Sequence, residues 1–242
     1  MKAGRAKFRT NGARLPAGAS EMKVKQTPPR RVAGHIPIAG AAEEPAVLGK
    51  LLEAARELFL SRGVNAVTVR SIAQRAGCSI GLLYHYVDSK EDLLARLLAD
   101  TFTRLLERLR RQARSHQAPL EQLSAVLAAY VQFGLEHPHD YALLFAAGPG
   151  EVHEHLCRVF HTLGIECYGV IRDCCAECIS RGEFREDLQD AEAAAQALWA
   201  GAHGLVHLLG SVEGFPFRPR KALLRCHLEN LVAGVRRPRP GA

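Results

Sequence analysis

Residues 68–94 read TVRSIAQRAGCSIGLLYHYVDSKEDLL, and this segment decides the fold of the chain. Thr68 and Ser79 are helix-capping residues, because a side-chain hydroxyl can accept a hydrogen bond from a free N–H group of a first helical turn. Gly77 lies between the two short helices that they start, and glycine tolerates the left-handed backbone that ends a helix. The segment therefore predicts two short helices joined by a tight turn, which is the helix-turn-helix arrangement.

The second of these helices has the composition of a helix that enters the major groove of DNA. Gly81 allows a close approach of the backbone, and Tyr84 and His85 carry hydrogen-bonding groups that can reach phosphates or base edges. Ile80 and Leu82 can contact thymine methyl groups, although they cannot form the paired hydrogen bonds that identify a base. The helix is therefore predicted to bind DNA.

Residues on either side of this helix are expected to bind the phosphate backbone. Ser89 starts a further helix, whose free N–H groups suit a phosphate, and Lys90 adds a full positive charge in its first turn. Arg70 lies near the start of the preceding helix and can hold the backbone on the other side. The predicted DNA-binding residues are Thr68, Arg70, Ser79, Ile80, Gly81, Leu82, Tyr84, His85 and Lys90.

Helical periodicity extends over the rest of the chain. Apolar residues recur at steps of three and four from Ala46 onward, and no stretch shows a convincing alternation with the period of two that a strand requires. The predicted fold class is therefore all-α. Its expected parts are a disordered basic tail (1–45), a three-helix DNA-binding domain with the helix-turn-helix (46–94) and a larger helical effector-binding and dimerisation domain (95–237).

Most of the positive charge lies in the tail. The chain has 242 residues and a net charge of +7, and residues 1–45 hold nine basic and three acidic side chains, so that they contribute 9 − 3 = +6. This segment is either a solvated leader, with Met22 as the true start, or a basic arm that binds phosphates. The folded part is nearly neutral, so its affinity for DNA is expected to depend on dimerisation and well-placed donors.

The composition argues against several other classes of protein. No apolar run reaches the ~18 residues of a membrane span and no secretory signal is found, so a cytoplasmic protein with no membrane partner is expected. Seven cysteines, an odd number, do not suggest a disulfide framework. Neither a glycine-rich phosphate loop nor a G-x-S-x-G motif occurs, so the chain is predicted not to be an enzyme and to need no cofactor.

The segment 46–94 resembles the DNA-binding domain of the TetR family of bacterial transcriptional regulators. The resemblance depends on the capped helices, the glycine turn, the Tyr84-His85 pair and the Ser-Lys-Glu start of the next helix. It implies a homodimer, a palindromic operator and a helical C-terminal domain that binds a small inducer. Where the family often has a polar or basic residue and a threonine, this chain has Ile80 and Leu82.

Two downstream segments resemble a C-terminal subclass that has a Trp…His-Gly signature. They are YVQFGLEHPHDYALLF (130–145) and ALWAGAHGLVHLL (197–209), and the signature residues here are Trp199, His203 and Gly204.

A pocket wall is predicted on the helix that carries this signature. Trp199, His203 and His207 recur every four residues and therefore share one helix face, which suits a mostly apolar effector. The alternative is that this face packs in the core or in a dimer. The ligand-pocket candidates are Phe133, Tyr141, Phe145, Cys157, Phe160, Trp199 and His203.

A cysteine-rich face is predicted on the helix expected over residues 151–181. On a helical wheel Cys167, Cys174 and Cys178 fall within an arc of ~40°, and Cys157 lies inside it. These thiols are either small buried hydrophobes or a thiol sensor.

A metal site is weighed for the same helix. His153, Cys157 and His161 repeat every four residues, but three ligands on one straight helix converge poorly on an ion, so no metal site is predicted. A thiol-redox or metal-sensing regulator on the same scaffold remains the alternative function.

The sequence predicts a ligand-responsive transcriptional regulator, and more specifically a repressor. It is expected to bind a palindromic operator as a homodimer and to be released by a small, mostly apolar effector. The dimer is expected to form through helices 189–211 and 219–236. The expected interface residues are Ala193, Ala194, Ala197, Ala200, Leu205, Leu208, Leu209, Leu224, Leu228, Leu231 and Val232.

Overall fold

The structure is a computed structural model that describes residues 44–115, 118–145 and 158–238. The predicted tail lies almost entirely outside these residues, as do Cys157 and His153. Within the described residues before 146 there are six helices: α1 (Glu44–Arg62), α2 (Val69–Ala76), α3 (Ile80–Tyr86), α4 (Lys90–Ser115), α5 (Pro119–Glu136) and α6 (Pro138–Leu144). A π-helical turn (Phe160–Gly164) then leads into α7 (Ile165–Ser180), α8 (Ala191–Ser211) and α9 (Arg220–Val235).

The described residues confirm the all-α prediction. They contain no strand, and their one extended contact is an isolated antiparallel bridge between Phe184 and Arg236. This bridge ties the loop after α7 to the end of α9.

The predicted caps form as expected. The Thr68 hydroxyl accepts from the Ser71 N–H at 3.2 Å, and the Ser71 hydroxyl in turn accepts from the Thr68 N–H at 3.1 Å. Gly77 ends α2 with a positive φ of 70°, a conformation that a side chain would strain. The Ser79 hydroxyl accepts from the Leu82 N–H at 3.1 Å and starts α3. These local bonds set the angle between the two short helices.

The long helix α4 belongs to both halves of the fold. Its first turns bury leucines such as Leu94 and Leu98 in the same core as α1, whereas its later turns bury Leu105 and Leu109 near α5 and α7. The predicted domain boundary after Leu94 therefore falls inside a continuous helix. The same helix therefore contacts both the DNA-binding core and the C-terminal core.

A close contact between α5 and α8 leads to a test of the packing. A Cβ atom on Gly134 would lie 2.5 Å from Val206 Cγ1 and 3.0 Å from the Tyr141 ring. We expect Gly134→Ala to lower the free energy of unfolding by ~1–3 kcal/mol in chemical denaturation, because a well-packed core tolerates added volume poorly. Gly49→Ala in α1 is the control, since a Cβ atom added there would meet no atom within 4 Å. There alanine should add up to ~1 kcal/mol through helix propensity.

Candidate DNA-binding surface and effector cavity

Helix α3 presents its predicted DNA-binding face to solvent. Tyr84 is 54% exposed, Ile80 37% and Leu82 38%, and Gly81 and His85 are also exposed. On the opposite side Leu83 is fully buried and anchors the helix on the core of the DNA-binding half. The predicted DNA-binding face is therefore accessible to solvent, and the inner side of α3 packs against the core.

Lys90 makes contacts that the sequence did not predict. Its ammonium group donates to the carbonyl oxygens of Val64 at 3.0 Å and of Val67 at 3.2 Å. Two of its three N–H groups therefore fix the loop between α1 and α2, and a phosphate contact would have to use the third. Arg70 and Thr68, by contrast, lie exposed at the start of α2.

The start of α4 already holds a negative charge of its own. The Ser89 hydroxyl accepts from the Asp92 N–H at 3.1 Å, and the Asp92 carboxylate accepts from the Asp88 N–H at 3.3 Å. Arg96 donates to the same carboxylate at 3.1 and 3.2 Å. A phosphate at this helix end would compete with the Asp92 carboxylate. The start of α4 therefore attracts a phosphate less strongly than the sequence predicts.

The C-terminal half encloses an apolar cavity of ≈ 290 Å³. Helices α4, α5, α7 and α8 form its walls together with the end of α6 and the π-helical turn. Its lining residues are Phe102, Leu105, Tyr130, Leu144, Phe145, Phe160, Gly164, Ile165, Cys167, Tyr168, Ile171 and Trp199. None of these side chains carries a charge at neutral pH, so the cavity suits an apolar molecule.

An open crevice adjoins the cavity. Its lining residues are Phe145, Tyr168, Gln196, Trp199, Ala200 and His203. Three of these, namely Phe145, Tyr168 and Trp199, also line the cavity, so the two spaces share a wall.

The structure places most of the predicted pocket residues in or beside the cavity. Phe145, Phe160 and Trp199 line the cavity, and His203 lines the adjoining crevice. The Tyr141 side chain is buried beside His203 and contributes through its hydroxyl group. Phe133 does not join them.

The assignment of Phe133 to the pocket is corrected by its packing. The side chain is only 2% exposed and lines neither the cavity nor the crevice. It packs against His137, with ring centroids 4.9 Å apart, and against the guanidinium group of Arg104. Phe133 is therefore a core residue. Cys157 lies outside the described residues.

A chain of hydrogen bonds joins three helices beside the cavity. Trp199 Nε1 donates to the Tyr130 hydroxyl at 2.9 Å, which lies 2.8 Å from the Tyr141 hydroxyl. The Tyr141 hydroxyl lies 2.6 Å from His203 Nδ1. Burial raises the pKa of Tyr130 to about 12 and also raises the pKa of Tyr141, so both hydroxyl groups keep their protons. Burial, with a smaller contribution from His207, lowers the pKa of His203 and favours the neutral imidazole.

The π-helical turn connects the cavity to α4. Phe160 makes an edge contact with Phe102 of α4, with ring centroids 5.3 Å apart, and both side chains line the cavity. A Cβ atom on Gly164 would lie 3.3 Å from the Phe102 ring. A molecule in the cavity therefore lies directly against the helix that leads to the DNA-binding half.

A second connection runs through Asp140 of α6. One carboxylate oxygen lies 3.0 Å from Arg56 Nε of α1, and the other accepts from Arg104 Nη2 of α4 at 2.6 Å. Asp140 is only 13% exposed, and the close Arg56 contact is too poorly angled to be a hydrogen bond. Because the next residue is Tyr141, one short helix carries both this ion cluster and a member of the hydrogen-bonded chain.

The cysteines on α7 are buried. Cys167, Cys174, Cys175 and Cys178 are at most 6% exposed, and burial raises the pKa of these thiols to about 11 for Cys174 and about 12 for the others. A buried thiol with a raised pKa holds little thiolate and is poorly reactive. The geometry therefore favours small buried hydrophobes over a thiol sensor.

Two further observations concern metals and membranes. Among the residues that the structure describes, no three His, Cys, Asp or Glu side chains are grouped so that they could hold a metal ion. Within the same residues, no helix is long and apolar enough to span a bilayer.

Sequence reasoning missed most of the cavity wall. Tyr130 is central to the hydrogen-bonded chain, and Tyr168 separates the cavity from the crevice, yet neither was a candidate. Phe102 and Cys167 also line the cavity. The one available signal for Tyr130 was its position at the start of the segment that resembles the Trp…His-Gly subclass.

The exposed helix-turn-helix and the apolar cavity together define a class: a transcriptional regulator with one DNA-binding and one ligand-binding part. Two family profiles match the chain. "Bacterial regulatory proteins, tetR family" covers residues 51–97, and "Tetracyclin repressor-like, C-terminal domain" covers residues 123–231. The chain therefore belongs to the TetR family. The Trp…His-Gly subclass stays a prediction.

Individual relatives match a smaller share of the chain. The chain is 38% identical over 97 residues to the HTH-type transcriptional repressor KstR2 of Mycobacterium tuberculosis, covering 40% of this chain and 48% of KstR2. It is 33% identical over 97 residues to the HTH-type transcriptional activator FasR of Mycolicibacterium smegmatis, covering 40% of this chain and 44% of FasR. The chain thus spans about half the length of these relatives.

Solved structures match over most of the chain. The ketosteroid transcriptional regulator KstR2 of M. tuberculosis superposes with a TM-score of 0.64 and 26% identity, covering 86% of this chain and 100% of that one. The fatty acid degradation regulator FadR from Bacillus halodurans has a TM-score of 0.64 and 20% identity, covering 79% of this chain and 97% of that one. At that identity the FadR match shows the shared fold alone.

Proposed function

We propose that this protein is a homodimeric transcriptional repressor that binds a palindromic operator and is released by a small, mostly apolar effector. The observation that carries the proposal is the exposed face of α3, with Tyr84 at 54% exposure and Leu83 fully buried behind it. A helix that is exposed on one side and packed against the core on the other can enter a major groove. The proposal includes a cytoplasmic location, where the DNA target lies, and no enzymatic activity.

The apolar cavity supports the effector part of the proposal. Its uncharged lining and its position between α4 and α8 provide a site where a ligand can act on the DNA-binding half. The name of the KstR2 structure connects that protein with ketosteroids, which are mostly apolar compounds. Of the two relatives, KstR2 is named a repressor and is 38% identical to the matched part of this chain, whereas FasR is named an activator and is 33% identical. Repression is proposed because the more similar of the two is a repressor.

The release mechanism follows two contacts. A ligand in the cavity presses on Phe102 of α4 directly and through the Phe160 contact, and it displaces α6 through Leu144, the last residue of that helix, which also lines the cavity. Movement of α6 weakens the Asp140 contacts with α1 and α4. A coupling of ~1–3 kcal/mol between the two sites would loosen operator binding about fivefold to a hundredfold. The distance between the two α3 helices of the dimer would then no longer match successive major grooves.

The dimer is proposed to form through one face of α8 and α9. Ala193, Ala197, Ala200 and Leu208 are exposed on α8, with Leu208 at 49%, and four apolar side chains of α9 are partly exposed. The α9 residues are Leu224, Leu228, Leu231 and Val232. Leu209 of α8 is also partly exposed.

Two residues of the predicted interface, Ala194 and Leu205, lie inside the core of this chain instead. Ala194 is fully buried and Leu205 is 6% exposed, so neither side chain is free to contact a partner. They share α8 with the interface residues but point towards the other side of the helix. The remaining predicted residues form a face of alanine, leucine and valine side chains that suits the packing of helices in a bundle.

Salt dependence tests the proposed DNA binding. With labelled duplexes from the region upstream of its own gene, we expect operator affinity to fall by ~10³-fold or more between 50 and 200 mM salt, as for proteins that make 6–10 phosphate contacts. Fluorescence anisotropy measures this directly, with a scrambled duplex as the control. An affinity that hardly changes with salt, or no preference over the scrambled duplex, would contradict the proposal.

A further inference from the structure

The direction of the hydrogen-bonded chain beside the cavity is set by Trp199. An indole N–H only donates, so the Tyr130 oxygen must accept from it. The arrangement that uses every hydrogen then has Tyr130 donating to Tyr141 and Tyr141 donating to His203 Nδ1. If Tyr141 donated to Tyr130 instead, the Tyr130 hydroxyl could donate to His203 Nδ1 at 3.4 Å, so Nδ1 accepts in that arrangement as well. Only a proton on Nδ1 would leave the Tyr130 hydrogen without an acceptor among the described residues.

This direction determines the tautomer of His203. Because Nδ1 accepts, the proton of the neutral imidazole is on Nε2, on the side of the ring away from the tyrosines. Among the described residues nothing accepts a hydrogen bond from Nε2. The ring lines the crevice that shares Trp199 and Tyr168 with the cavity. The site therefore offers a ligand one oriented, uncharged donor.

Charged partners for a ligand are missing from the described lining of both spaces. The described lining of the cavity has no charged side chain, and the polar residues in the described lining of the crevice are Tyr168, Trp199, Gln196 and the neutral His203. An ionised carboxylate buried here would lose hydration without gaining a cation, which is strongly unfavourable. A cation, Arg220, lines a different crevice that His203 also borders.

We propose that the effector is an uncharged apolar carbonyl compound, such as an ester or a ketone, whose oxygen accepts a hydrogen bond from His203 Nε2. This inference rests on the proposed function, because it names the ligand of the same site. An engineered cavity of ~150 Å³ holds benzene. By that comparison the ≈ 290 Å³ here suits an apolar body of about twelve non-hydrogen atoms.

Two isomeric probes test the charge requirement. Methyl nonanoate and decanoic acid have the same atoms, but only the acid ionises at neutral pH. Trp199 is the one tryptophan in the sequence and lines the cavity, so its fluorescence reports binding to the full-length protein. We expect the ester to bind at least about tenfold more tightly than decanoate, because only the latter must bury an unpaired charge.

Variants of His203 test the donor. His203→Phe should weaken ester binding about fivefold, which is the effect of one neutral hydrogen bond. His203→Gln should retain the affinity, because its amide can accept from Tyr141 and still donate to the ligand. His139→Gln, at an exposed position of α6 that lines neither the cavity nor the crevice, is the control and should bind the ester as the unmodified protein does.

Several outcomes overturn the inference. They are decanoate binding as tightly as the ester, an unchanged ester affinity in His203→Phe, and no fluorescence response to millimolar ester. Operator binding is measured separately, without either probe. A protein that binds the operator but not the ester contradicts only this inference and the effector class, whereas a protein that binds the ester but no operator contradicts the proposed function.

Discussion

Replacing Tyr84 by phenylalanine is expected to weaken operator binding about a hundredfold. The hydroxyl group lies on the exposed face of α3 and makes no hydrogen bond with the described residues, so it is free to bond to a phosphate. A hydrogen bond to a charged group contributes ~1.5 kcal/mol or more. A homodimer makes this contact twice, and a loss of ~3 kcal/mol corresponds to about a hundredfold in Kd.

The matched control for this variant is Tyr168→Phe on α7. This substitution also removes one tyrosine hydroxyl group, which donates to Glu192 at 2.8 Å. Tyr168 lies in the C-terminal half, away from α3. Its operator affinity should be unchanged in the same anisotropy assay. Equal affinities for Tyr84→Phe and the unmodified protein would show that α3 does not bind the phosphate backbone through this residue.

Replacing Asp140 by asparagine is expected to separate effector binding from operator release. Asparagine keeps the shape of the side chain but removes the charge that attracts Arg56 and Arg104. Asp140 does not line the cavity, so methyl nonanoate should still change the fluorescence of Trp199. The loosening of operator binding by the probe should fall from about fivefold or more to less than twofold, because α6 no longer pulls on α1.

Asp100→Asn provides the control for this variant. Asp100 also pairs with Arg104, at 3.1 Å, but it belongs to the same helix α4 and is 59% exposed. An exposed pair within one helix contributes little and connects no two elements. Full operator release in Asp140→Asn would show that the coupling runs through Phe160 and Phe102 alone.

Much of the DNA-binding half could be predicted because its signals are local. The Thr68 and Ser79 caps each bond to a residue three positions away, and Gly77 has a backbone conformation that depends on its own lack of a side chain. The sequence analysis assigned Tyr84 to the DNA-binding face, and that side chain is exposed whereas the adjacent Leu83 is buried. Lys90 was interpreted less well, because its carbonyl partners lie 23 and 26 residues away in the chain.

The cavity was predicted only in outline. Helical spacing placed Trp199 and His203 on one face, and both do line the candidate site. The same pattern could not separate Phe133 from Phe145, because both are aromatic residues on apolar helix faces. Which of them reaches the cavity depends on how α5 and α6 pack against their neighbours.

By itself, the sequence determined an all-helical chain and the presence of a capped, solvent-facing helix after a glycine turn. Such features depend on atoms only a few residues apart, so residue order carries them. Tertiary structure alone decided which side chains form the hydrogen-bonded chain beside the cavity and how α6 contacts α1. Trp199 and Tyr130 are 69 positions apart, and Arg56 meets Asp140 only after four intervening helices have packed, so no short segment records either contact.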